Sequence, residues 1–126
     1  MTLSDKIRSA RHGVVHNPYQ GADKKVVFVC SMGILRSATA ARLYSQKYNT
    51  RSAGTDREAL VPLTPLLVEW ADELVFVNQE NFQIYMKHMA LETGYEPNIR
   101  VLDIPDEYEH MHPRLVDAFR EQYEDF

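Results

Sequence analysis

A thiol attacking an anionic ester needs a nucleophilic cysteine, a cation to hold the anion and an acid for the leaving group. The only cysteine of this chain opens the run Cys30-Ser31-Met32-Gly33-Ile34-Leu35-Arg36-Ser37, a Cys, five residues, then Arg and Ser. The run joins a continuous apolar segment at 26–29 to a helix-like segment beginning at Ser37. Backbone amides in a tight loop that ends at a helix N-terminus attract an anion. Arg36 can grip two oxygens of that anion with its planar fork. Cys30 lies at the base of the same bowl, where amides, helix end and guanidinium would all favour a thiolate. Ser37 can donate to the sulfur when sulfur becomes the leaving group. A lone cysteine at a strand end is ordinarily a small buried apolar residue, and its spacing from an arginine is weak evidence alone. Placement between strand and helix, with serine after the arginine, makes the run a motif.

Cleaving a phosphoester with a thiolate expels an alkoxide or phenoxide, which an acid must protonate; the same group can then activate water. Asp103 and Asp106 are the candidates, both just past an apolar segment at 99–102, with Pro105 stiffening the turn between them. The ordinary role for Asp103 is to brace a loop or cap a helix. Tyr108 would form an aromatic wall beside a substrate ring, or else sit as a half-buried surface tyrosine. His110 and His112, with His88 earlier, are poorly placed for a metal on a loop or helix start, so no metal or cofactor is expected. Trp70 reads as core or edge packing.

These groups have to be carried by an alternation of strands and helices. The segment at 26–29 reads as a strand buried on both faces, followed by a helix over 37–48 and a short strand near 50–52. Thr64-Pro65 signals a cap and first helical residue, for a helix to about 71. A second strong strand follows at 74–77, then a helix to about 91 capped by Asn78 or Asn81, with Gly94 near its end. The strand at 99–102 precedes a last helix from Pro113, with Leu115, Val116, Phe119 and Tyr123 on one side. The pattern predicts an α/β fold: a four-stranded parallel sheet, helices on both faces, and a phosphate-binding loop after the first strand. Ligands bind such sheets beyond the carboxyl ends of the strands.

The chain has 126 residues, 44% of them apolar or aromatic, which suits one domain over 24–126 behind an extension at 1–23. In that extension Ser4 would cap a short helix to about Arg11. Fourteen Lys and Arg against 18 Asp and Glu argue against a nucleic-acid partner. No apolar run is long enough for a membrane span, and the polar start does not read as a signal peptide. A single thiol excludes an internal disulfide and fits a reducing cytoplasm. The acidic end at Glu121, Glu124 and Asp125 reads as solvated.

Val29-Cys30, Arg36-Ser37, the turn Ser52-Ala53-Gly54-Thr55 and the late Pro105-Asp106 together resemble the low-molecular-weight protein tyrosine phosphatases. The resemblance runs over about 24–126 and implies the sheet order 2-1-3-4. It is closest to the short bacterial and phage branch, which carries a stretch like Leu102-Asp103-Ile104-Pro105-Asp106-Glu107-Tyr108. Similar wording occurs in the fold-related eukaryotic phosphatases of the RNA polymerase II tail. The resemblance implies Cys30 as nucleophile, Arg36 as phosphate clamp, Ser37 as thiolate partner and Asp106 as general acid. Ser31, Met32, Gly33, Ile34 and Leu35 would line the substrate, Ser52 would brace the loop, and the partner would be a protein carrying phosphotyrosine.

Three departures stand out. Gly33 replaces the family's usual asparagine, Leu35 replaces a second cysteine found in many members, and the segment after Thr55 is short. The last leaves phosphoserine open as a substrate. Thiol-dependent arsenate reduction normally needs further cysteines, and a non-catalytic phosphoprotein-binding module would have no need of an intact Cys30, Arg36 and Asp106.

Overall fold

Lys25–Cys30 forms β1, and its residues from Val26 to Cys30 are all buried because the strand has neighbours on both edges and helices on both faces. A computed structural model of the chain describes residues 20–88 and 97–124. The proposed helix at Ser4, Gly94 and Asp125 lie outside the described residues. The order of elements is β1, α1 (Arg36–Leu43), β2 (Asn49–Gly54), α2 (Pro65–Trp70), β3 (Glu73–Phe76), α3 (Gln79–His88), β4 (Asn98–Val101) and α4 (Pro113–Tyr123). All pairings are parallel and the sheet order is β2-β1-β3-β4, as the sequence predicts. After β1 the chain turns to one side, and after β3 to the other. The loop after β1 therefore stands at the switch point of the sheet.

Alternate residues of β1 feed two separate cores, as the two-residue period of a strand requires. Val26, Phe28 and Cys30 face α1 and α4, packing with Ala40, Ala41, Leu115 and Phe119. Val27 and Val29 face α2 and α3, packing with Leu67, Val68 and Tyr85. Phe28 centres the first layer, with ring centroids 5.9 Å from Tyr44, 6.5 Å from Phe119 and 5.4 Å from Tyr123. Trp70 is half-buried at the edge of the second, with the Arg51 guanidinium 4.9 Å from its ring.

Local signals set most element ends. Thr64 Oγ1 accepts from the Leu67 amide and Pro65 takes the first helical position of α2. Asn78, not Asn81, caps α3, its Oδ1 accepting from the Asn81 amide at 2.9 Å. The His112 ring caps α4, accepting from the Arg114 amide.

The clear difference from the sequence reading is α1, which stops at Leu43 rather than 48. Its last carbonyls are taken by side chains: Thr50 Oγ1 donates to Ala41 and Ser45 Oγ to Arg42. Tyr44 meanwhile turns onto Phe28. Gln20 and Gly21 are also tied to this end, through Thr50 and through the carbonyls of Ser45 and Tyr48. No helix among the described residues is long and apolar enough to cross a membrane.

At the start of β3 the buried Glu73 accepts a 2.8 Å hydrogen bond from the Tyr123 hydroxyl and is flanked by Lys24 and Arg100. Burial first, and then the neighbouring carboxylate, raise the pKa of Tyr123, and burial and Glu124 do the same for Tyr44. Tyrosines in an unfolded chain release their protons near pH 10, about their ordinary value. The contribution of these two tyrosines to stability is therefore fully present below about pH 10 and falls as pH rises above it, where only the unfolded chain has let the proton go. Tyr123→Phe is expected to lose about 1.5–3 kcal/mol at neutral pH, the worth of a hydrogen bond to a charged group. It should also show a shallower alkaline loss, read by urea denaturation at neutral pH and near pH 11.

Candidate functional site

Cys30 closes β1 and is 3% exposed. Its sulfur lies 3.0 Å from Ser37 Oγ and accepts the Gly33 amide at 3.1 Å. The chain returns to the sulfur so quickly because Gly33 adopts φ +83°, a conformation that costs glycine little.

The loop is held from behind. The carbonyls of Cys30 and Ser31 accept from the amides of Thr55 and Asp56, each at 2.9 Å, and that of Met32 from Val61 at 3.4 Å. The Gly33 carbonyl accepts from Ser52 Oγ at 3.1 Å, the brace that the resemblance implies. In a planar trans peptide the next N–H points opposite to the carbonyl. Four outward carbonyls therefore turn the amides of residues 31–34 to the concave side, where the Gly33 amide meets the sulfur. The first turn of α1 follows with no side-chain cap. Such an arrangement can receive an oxyanion directly above a sulfur nucleophile. Ile34 and Leu35 are exposed at its rim.

The fit against the β2–α2 segment explains the glycine at position 33. A Cβ there would stand 2.8 Å from the Val61 carbonyl oxygen and 2.9 Å from the Ala53 carbonyl carbon. Gly54 is equally confined, since its Cβ would collide with the Ser31 carbonyl oxygen.

Arg36 enters the site from the first turn of α1 and is almost wholly buried. Nη1 donates to Ile104 O at 3.2 Å, Nη2 donates to Ser31 Oγ at 3.4 Å, and Nε lies 3.6 Å from Asp106 Oδ1. Asp106 is 69% exposed, so the pair contributes little to stability; it records where the carboxylate stands.

The two candidate acids separate here. Asp103 is exposed, and its backbone is bracketed by Gln122 of α4, which accepts from the amide at 2.6 Å and donates to the carbonyl at 2.7 Å. Asp106 is the carboxylate turned to the loop. The intervening Ile104 is fixed on β3 through its amide to Val77 O.

Tyr108 is half-buried, packed on the α1–α4 core and stacked on the His112 ring with centroids 4.9 Å apart. His110 pairs with Thr39 Oγ1, which also accepts the Met111 amide. No three His, Cys, Asp or Glu side chains come together to hold a metal among the described residues. Beside the loop, a cavity of about 730 Å³ is lined by Thr55, Arg57, Leu63, Ile84 and Tyr85, among others.

The residue that the sequence reading did not connect to the site is Asn81. Its side chain reaches Ser31 and Thr55 from α3. The available signal was that two asparagines three apart cannot both cap the same helix. Comparison with protein-family models, curated proteins and solved structures finds no match to this chain.

Gly33→Asn, which would install the residue usual in the family that the sequence resembles, is expected to destabilise the protein by about 1–3 kcal/mol through overpacking against Val61. The shift in denaturant midpoint relative to wild type measures this.

Proposed function

We propose that this protein is a cysteine-dependent phosphatase that hydrolyses phosphomonoesters, protein phosphotyrosine foremost, through a cysteinyl-phosphate intermediate. The observation that carries the reading is the convergence of the Cys30 sulfur, Ser37, the Gly33 amide and the oriented Arg36 guanidinium on one loop, with Asp106 beside them.

In this mechanism the phosphoryl group docks against the loop amides and Arg36. The Cys30 thiolate attacks phosphorus in line, forming the S–P bond as the ester P–O bond breaks. Asp106 gives its proton to the departing oxygen. The Asp106 carboxylate then takes a proton from water, whose oxygen attacks phosphorus and releases phosphate, and Ser37 stabilises the departing thiolate. The loop amides and Arg36 hold the equatorial oxygens throughout, so charge stabilisation does most of the work. Phosphotyrosine as substrate rests on the family resemblance, and an unprotected thiol suits the cytoplasm.

Hydrolysis of p-nitrophenyl phosphate, undiminished by chelator, tests the reading. Cys30→Ser is expected to abolish turnover while vanadate still binds, because a serine hydroxyl is a far weaker nucleophile in an intact bowl. An inactive wild-type protein, or an active Cys30→Ser variant, removes this function.

Asp106→Asn should lose about 10²–10⁴-fold on phenyl or alkyl phosphates and much less on p-nitrophenyl phosphate, whose leaving group needs little protonation. Asp103→Asn should show a small loss independent of the leaving group. Burst kinetics across a series of aryl phosphates separates the two variants.

A further inference from the structure

Among the described residues Asn81 is the only buried asparagine or glutamine, with 1% of its surface exposed. Its backbone amide is already satisfied by Asn78, so the side chain is not needed to cap α3. Nδ2 instead donates to Thr55 Oγ1 at 2.9 Å and to Ser31 Oγ at 3.3 Å, while Oδ1 is buried with no hydrogen-bond partner. An unpaired buried carbonyl is a cost that an apolar side chain of the same size would avoid, and such costs are tolerated where a group has work to do.

Ser31 Oγ accepts from Nδ2 of Asn81 and from Nη2 of Arg36. A serine hydroxyl has two lone pairs and one proton. Both lone pairs are engaged, and no acceptor among the described residues takes the proton. We propose that the Ser31 hydroxyl donates this proton to an oxygen of the bound phosphoryl group, and that Asn81 is the positioning residue that orients it. The loop would then offer the anion a side-chain donor as well as its amides and Arg36. This rests on the oxyanion-binding reading of the loop.

The test measures vanadate affinity and p-nitrophenyl phosphate kcat/KM for Ser31→Ala, Asn81→Leu and the double variant, with the melting temperature of each. Each single change should weaken both parameters roughly tenfold, the effect of one hydrogen bond, and the double should lose no more than either single. Asn81→Leu should melt no lower than wild type. Asn81→Asp, which keeps the shape but offers Ser31 an acceptor for its proton, should weaken vanadate binding as well and serves if the leucine variant does not fold.

Undiminished vanadate affinity in the Asn81 variants, losses that multiply in the double variant, or affinity that falls only in step with melting temperature would overturn the proposal. A wild-type protein that binds no vanadate overturns the phosphatase reading and this one with it. Normal wild-type binding with unaffected variants overturns this one alone.

Discussion

A short loop can turn its amides to one side only if its carbonyls find donors on the other, and that constraint governs the architecture around Cys30. The donors come from Ser52 on β2 and from Thr55, Asp56 and Val61 beyond it. The β2–α2 segment must therefore lie close behind the loop, so close that positions 33 and 54 leave no room for a Cβ. The parallel register that sets Cys30 opposite Gly54 brings this about. Sheet pairing thus orients the peptide groups beside the sulfur.

The same economy places Asp106. Arg36 and Ile104 are 68 positions apart in the chain, yet the guanidinium reads the Ile104 carbonyl directly. Ile104 is fixed by β3, and Asp103 is clasped by Gln122. Asp106 is then carried on a backbone anchored to the sheet and to α4, and needs no burial of its own carboxylate.

Much of this was legible in the sequence where the determinants are local. The apolar run of β1, the Thr64-Pro65 start of α2 and the Pro113 start of α4 each declare themselves within a few residues. Strand order followed from the alternation and the resemblance. The early end of α1 was hidden, because it depends on Thr50 capturing a helix carbonyl and on Tyr44 packing against Phe28. Cys30, Arg36 and Ser37 are close in sequence, so their meeting could be foreseen. The partner of Asn81 could not, since only the fold brings α3 against Ser31. The glycine at 33 was visible, but its reason, the Val61 carbonyl, lies across a turn.

The mutual bonding of the loop and the β2–α2 segment also has a dynamic consequence. Gly54 donates to Val61 O, Leu63 donates to Gly54 O, and Thr55, Asp56 and Val61 donate to the loop. Neither stretch can open without releasing the bonds of the other, which makes the two a single cooperative unit of local unfolding. The backbone protons of Thr55 and Asp56, bonded to the carbonyls of Cys30 and Ser31, would exchange with solvent only when the cysteine loop itself comes apart.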